Sequence, residues 1–214
     1  MASAYRRLVR STALCLGATV ALTLALTSGL AVRAQPGEPS ARINQFYAAL
    51  LDTMKGAKRL GLKGRYDKLL PIVTKTFDVA GMMRIAAGPA WEGASPAQQA
   101  TLVDAFSRMM TATYASRFDD FTGESFEVSP ALDQPPGNKL VRTRLIQANG
   151  KTVMLNYLMR QVADGWRIGD VYLDGTVSEL AARRAEFTSI IRSGGPDALA
   201  NSLQQKAEKL LSGS

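Results

Sequence analysis

Between Lys139 and Gly175 the chain alternates apolar and polar residues, and that period of two restricts the fold more than any other feature. Val141, Thr143 and Leu145 alternate with Arg142 and Arg144. Val153, Leu155, Tyr157 and Met159 repeat the pattern against Asn156 and Arg160. Successive strand side chains point to opposite faces, so the pattern predicts a sheet with one buried face and one wet face. Asn149-Gly150 suits a type I′ hairpin, whose two central residues need positive φ. Ala163-Asp164-Gly165 supplies a second turn, and Asp174-Gly175 stops the third strand. With a short strand over 125–129, this predicts an antiparallel curved sheet of about four strands. Its greasy face has to be covered by helices.

The flanking sequence supplies them. Ile43, Phe46, Tyr47, Leu50, Leu51 and Met54 step by three and four, so the first helix is amphipathic. Gly61 and Gly64 are expected to break it. Tyr66, Leu69, Leu70, Val73 and Phe77 predict a second helix. Asp78 is a candidate N-cap for a short third one, carrying Met82, Met83 and Ile85. That helix ends at Gly88-Pro89 and leaves Trp91 on a loop. Ser95-Pro96-Ala97-Gln98 is a capping box, and the helix it opens keeps its apolar spacing to Gly123. Pro130–Asn138 reads as a loop. After the sheet, Ser178–Arg192 and Pro196–Leu211 read as two helices split by Gly194-Gly195, with Ser178 as N-cap. Helices, then strands, then helices argue for α+β rather than alternating α/β.

Residues 1–34 read as a signal peptide preceding one domain over residues 35–214. Arg6, Arg7 and Arg10 precede an apolar run from Leu14 to Leu30, and Val32-Arg33-Ala34 offers a cleavage site. The rival is an uncleaved anchor, since the run is about long enough to span a bilayer. The formal net charge is +8, but residues 1–34 hold four of the 26 basic residues and no acid. Removing them leaves 22 basic against 18 acidic residues, or +4. Such an excess suits work beside anionic membranes and equally suits plain solubility. No Arg/Lys cluster interleaves with aromatics, which disfavours nucleic acid as a partner.

Catalysis has little to work with. There is no histidine, and the one cysteine, Cys15, lies in the signal. Ser-His-Asp and Cys-His mechanisms and Cys/His zinc sites are excluded, and no phosphate-cradling glycine loop is present. The acidic run Asp119-Asp120-Phe121-Thr122-Gly123-Glu124 lacks the ligand spacing of a calcium loop and reads as solvated. Asp170 and Asp174 would lie about 13 Å apart along a strand, beyond the about 5–9.5 Å of glycosidase carboxylate pairs. Strict alternation puts Asp170 on the buried face with Trp166 and Ile168. A buried carboxylate needs a cation, so an ion pair with Arg183 or Arg184 is expected, with a catalytic acid as the rival. No cofactor, metal or enzymatic activity is implied.

What the sequence does have is methionine. Met54, Met82, Met83, Met109, Met110, Met154 and Met159 fall on packing faces, with Tyr66, Tyr114, Tyr157, Trp91 and Trp166 near them in pattern. Methionine adapts to irregular apolar shapes, and tipped aromatics suit a cavity wet at its mouth. Composition alone describes an ordinary methionine-rich core at least as well.

Gly88-Pro89-Ala90-Trp91, Ser95-Pro96-Ala97-Gln98-Gln99, Phe106 and Thr113-Tyr114-Ala115 resemble the middle of the MlaC/toluene-tolerance auxiliary family. Gly165-Trp166-Arg167-Ile168-Gly169-Asp170-Val171-Tyr172-Leu173-Asp174-Gly175, with Ser178, Arg184 and Phe187, resembles its other hallmark. Gly169 departs from the larger residue usual there. Tyr157–Gln161, Asp170–Gly175 and Arg192–Asp197 resemble most the hopanoid-biosynthesis-associated branch, HpnM. The likeness runs from Phe46 to Leu203. It implies a periplasmic, non-enzymatic carrier enclosing a lipid, phospholipid or hopanoid, between sheet and helices. Partners would be an inner-membrane transporter and an outer-membrane lipid complex, and the carrier a monomer. The expected sheet wall is Val141, Thr143, Leu145, Val153, Leu155, Tyr157, Trp166 and Ile168. The expected helical wall is Tyr66, Met82, Met83, Phe106, Met109, Met110 and Tyr114. The competing expectation is a ligand-free periplasmic scaffold whose core is filled.

Overall fold

The computed structural model of the protein describes residues 38–213. The signal peptide read in residues 1–34 lies outside them. Among the described residues come first the helices α1 (Pro39–Lys55), α2 (Ala57–Thr76), α3 (Val79–Ala87), α4 (Pro89–Gly93) and α5 (Pro96–Arg117). Then follow β1 (Ser125–Val128), β2 (Leu132–Gln134), β3 (Asn138–Ile146), β4 (Thr152–Val162), β5 (Gly165–Leu173) and β6 (Val177–Ser178), and α6 (Glu179–Ser212) completes the set. The sheet runs β1-β3-β4-β5-β6, with β2 also on β3, and every pairing is antiparallel. This is the α+β architecture expected, helices against one face of an antiparallel sheet.

The local signals explain most of the element starts. Ser95 Oγ accepts from the Gln98 N–H at 3.2 Å while Gln98 Oε1 accepts from the Ser95 N–H at 3.0 Å, the two halves of the capping box. Asp78 accepts from the Gly81 N–H at 3.0 Å and Ser178 from the Ala181 N–H at 2.9 Å. Ile43, Phe46, Tyr47, Leu50 and Met54 are buried along one stripe of α1. Gly195, at φ 74°, splits α6 into the two arms expected, and Leu199 and Leu203 are buried in the second.

Several boundaries differ from the sequence reading. α1 stops at Gly56, while Gly61 (φ 62°) kinks α2 and Gly64 stays helical. Trp91 lies in α4 rather than on a loop, because Pro89 starts a new helix after Gly88 turns the chain at φ 59°. α5 ends at Arg117 instead of Gly123, since Asp119 and Asp120 would meet the negative end of the helix dipole. The sheet has six strands rather than about four. β2 lies inside the expected loop, and it is exposed throughout, so no alternation marks it. The β3–β4 hairpin forms, but only Gly150 has positive φ (81°), and its N–H closes the turn onto the Gln147 carbonyl at 2.8 Å. The two-residue positive-φ turn occurs instead at Asp174 (φ 48°) and Gly175 (φ 80°), where it turns β5 into β6 rather than ending the sheet.

The largest departure is in β5. Leu158 pairs with Asp170 but Met159 pairs with Ile168, so Gly169 is an extra residue and the strand bulges. Every residue beyond the bulge changes face. Asp170 therefore leaves the cavity side and meets the start of α6, where it accepts from Ser178 Oγ at 2.7 Å, the Leu180 N–H at 3.1 Å and the Val171 N–H at 2.8 Å. The expected ion pair with Arg183 or Arg184 is replaced by these hydrogen bonds. Arg160 lies over the glycine: a Cβ at Gly169 would come within 2.7 Å of its side chain.

α1 is tied to the sheet through a hydroxyl chain. Tyr47 shares a 2.6 Å hydrogen bond with Thr143 and donates to Tyr157 at 2.9 Å. Burial pushes the Tyr47 phenol up to about 12 and that of Tyr157 well above its ordinary range.

Asp170→Asn removes the charge facing the first turn of α6 and disrupts its hydrogen bonds. A loss of about 1–2 kcal/mol is expected, read as a melting-temperature drop of about 2–8 °C. The raised Tyr47 pKa gives stability that is complete below pH 10, where unfolded tyrosine is still neutral, and that declines as pH rises towards 12. Denaturant titrations from pH 8 to 11 should show this, with a contribution from Tyr47 approaching about 1.4 kcal/mol per pH unit. A flat profile above pH 10 contradicts it.

Candidate functional site

Between the sheet and the helices lies an apolar hollow of about 240 Å³. Its sheet wall is Leu145 from β3, Val153, Leu155 and Tyr157 from β4, and Val171 and Leu173 from β5. Register sets these side by side: Leu145 opposite Val153, Leu155 opposite Leu173, Tyr157 opposite Val171. The helical wall is Tyr47 and Leu50 from α1, Phe77 at the end of α2, Met82 from α3, and Phe106, Met110, Thr113 and Tyr114 from α5. Phe118, Arg117, Glu179 and Arg183 complete the lining where α5 ends and α6 begins.

The polar groups divide into two sets. On the inner side, Tyr47, Thr143 and Tyr157 form a chain of hydrogen bonds, and Thr143 donates to the Leu155 carbonyl at 2.5 Å. Thr113 donates back to the Met109 carbonyl at 2.9 Å. On the outer side stand the charges. Arg183 is half-buried, 3.6 Å from Glu179, and directs one N–H at the Met109 sulfur. Arg117 is exposed. Burial raises the Tyr114 phenol far above its usual range.

Of the residues expected from sequence, Met82, Phe106, Met110, Tyr114, Leu145, Val153, Leu155 and Tyr157 line the hollow. Thr143 sits behind it, bonded to Tyr47. Val141 and Ile168 lie in solid core, where the Asp78 N–H donates to the Ile168 carbonyl at 2.9 Å. Met83 is fully buried and Met109 nearly so, neither in the lining. Tyr66 is buried near Arg108 and Asp104, again outside the lining. Trp166 borders a separate groove with Asp133, Pro135 and Asn138.

Val171 and Leu173 were not expected in the lining. Strict alternation turns them outward; the bulge turns them in. A signal existed, because apolar residues at 166 and 168 resume at 171 and 173, a slip of one across Gly169-Asp170. Arg117, Glu179 and Arg183 come from different ends of the chain, and no spacing announces them.

The site holds no nucleophile–base pair, and Asp170 is occupied at the start of α6. Among the described residues no group of three or more His, Cys, Asp or Glu is placed to hold a metal ion. Asp120 and Glu124 of the acidic run instead accept from the Phe121 and Thr122 amides of their own loop.

The fold is similar to that of the phospholipid-binding protein from Ralstonia solanacearum, solved in complex with a phospholipid. The two share 22% identity and a TM-score of 0.71, over 81% of this chain and 98% of that one. No curated protein matches significantly. Residues 44–205, well over half of the chain, match the family described as MlaC protein, and the chain belongs to that family.

Proposed function

We propose that the protein is a periplasmic lipid carrier, which takes hydrocarbon into the hollow between sheet and helices and exchanges it with membrane-bound machinery. The observation that carries this reading is the hollow itself, about 240 Å³ of apolar space. Membership of the MlaC family supports it, as does the phospholipid held by the similarly folded protein from Ralstonia solanacearum.

Each methylene withdrawn from water gains about 0.8 kcal/mol, so a dry hollow competes with a bilayer by matching its apolar contact, without directional chemistry. The volume falls just below the roughly 300–1,000 Å³ of typical ligand sites. Uptake therefore requires the walls to give. Met82 and Met110 are the side chains suited to that, being unbranched and polarizable. The absence of an acid–base pair in the lining fits a binder better than an enzyme. Among the described residues no helix is long and apolar enough to cross a membrane, which accords with a carrier released from the signal read in residues 1–34.

The finer parts of the proposal are a phospholipid or hopanoid cargo, the latter from the HpnM likeness. They also include a monomeric carrier that docks in turn on an inner-membrane transporter and an outer-membrane lipid complex. The rival, a scaffold acting through protein contacts alone, has no use for the hollow.

Protein purified from its native host should carry extractable lipid, identified by mass spectrometry. Leu155→Trp or Met110→Trp, each filling the hollow from one wall, should lower that lipid several-fold while the fold survives by circular dichroism. Delipidated protein that takes up nothing from vesicles overturns the carrier reading.

A further inference from the structure

We propose that the reverse face of the sheet, turned away from the helices, docks on an anionic bilayer surface, a row of leucines entering the interface between two unpaired arginines. The inference goes beyond the carrier reading and holds whether the hollow is filled or empty.

Register places the residues. Leu132, Leu140 and Leu158 are successive partners across β2, β3 and β4, so they form one row on one face. Their chain neighbours Val141, Tyr157 and Met159 are fully buried on the helix side, so the leucines point the other way. Nothing covers them. Leu132 is 45% exposed, Leu140 and Leu158 are half-buried, and none of the three packs against the core. Met154, on the same face, is 43% exposed; it and Leu132 are two of the three large hydrophobic side chains left exposed among the described residues. Scattered apolar side chains are ordinary on a surface, whereas a row of them on an open sheet marks a contact.

Charge names the partner. Arg142 follows Leu140 by two residues on β3, and Arg160 follows Leu158 by two on β4. The strands are antiparallel, so the two arginines stand on opposite sides of the leucine row. Neither makes an ion pair or a side-chain hydrogen bond among the described residues. The other charges of this face are compensated. Arg144 is paired with Glu127, and Arg167 meets both oxygens of Asp164, at 3.1 and 2.5 Å. Asp170 is buried and hydrogen-bonded to the start of α6. The strands thus present two uncompensated positive charges here and no uncompensated negative one. A folded partner must match the relief of such a face. A fluid headgroup layer asks only for positive charge and a few apolar side chains that reach past it.

The test is flotation with vesicles, using protein purified from its native host and stripped of lipid. The wild type should float with equal parts phosphatidylglycerol and phosphatidylcholine, not with phosphatidylcholine alone, and should dissociate as salt rises. Arg142→Gln and Arg160→Gln should each weaken binding about fivefold, and the double variant about 25-fold. Arg142→Lys should retain binding, because headgroups read the charge rather than the guanidinium fork. Leu132→Ser should weaken it several-fold. Arg59→Gln, which removes an exposed arginine from α2, should leave it unchanged. Melting temperatures are compared throughout, and Arg142→Gln decides if Arg160→Gln is destabilised, since the Arg160 side chain lies over Gly169. Equal loss from Arg59→Gln would make net charge alone the cause and overturn the inference. Wild type that does not float, or face variants that float unchanged, overturns it too. Lipid in the re-isolated protein is counted separately by mass spectrometry. Uptake without flotation leaves the carrier reading standing and this inference fallen; flotation without uptake does the reverse.

Discussion

A single extra residue in β5 reconciles two demands on one strand. Before Gly169 the strand must fill the core with Ile168, beneath Phe77. After it, the strand must wall the hollow with Val171 and Leu173 and also present a carboxylate to α6. Strict alternation cannot do both, because Asp170 would then point into hydrocarbon. The bulge moves it to the opposite face, where a hydroxyl and two amides satisfy it. The start of α6, and with it the placement of Glu179 and Arg183 at the mouth, follows from that one slip. Glycine suits the site because Arg160 lies against the position a Cβ would occupy.

The hollow persists because its inner walls hold one another up. Phe46 meets Phe77 and Tyr114 edge-on at 5.5 and 5.4 Å, and Tyr47 stacks on Phe126 at 3.9 Å. Rigid rings anchored by hydroxyl bonds resist collapse better than aliphatic chains, which would close the gap by changing rotamer. The adaptable methionines stand on the helical side, where walls can shift without breaking sheet hydrogen bonds. Burial keeps the inner phenols neutral, so the interior offers hydrocarbon no charge, and the arginines stay at the mouth, within reach of water.

Local chemistry was legible wherever it closed on itself within a few residues. The Ser95–Gln98 box, the caps at Asp78 and Ser178, the apolar stripe of α1 and the alternation of β3 and β4 each involve neighbours in sequence, and each is where it was read. The misreadings have separate causes. Gly56 rather than Gly61 ends α1 because α2 must pack back against α1 and α5. β2 pairs with β3 through exposed residues whose alternation no buried face enforces. The hairpin at Asn149-Gly150 forms with one positive φ instead of two, as its longer loop permits.

From its residues alone the chain determined that it would be an antiparallel sheet roofed by helices, without a histidine and with its one cysteine at position 15. Periodicity and composition are local quantities, and they suffice for that. Whether apolar faces meet or stand apart is another matter, since it depends on volumes contributed by α1, α3, α5 and three strands at once. Only the tertiary structure decided that Val141 and Ile168 are packed solid while Leu155 and Met110 face open space. It alone brought Arg117 and Arg183 to the same mouth, because the end of α5 and the start of α6 meet only after the whole sheet has folded between them.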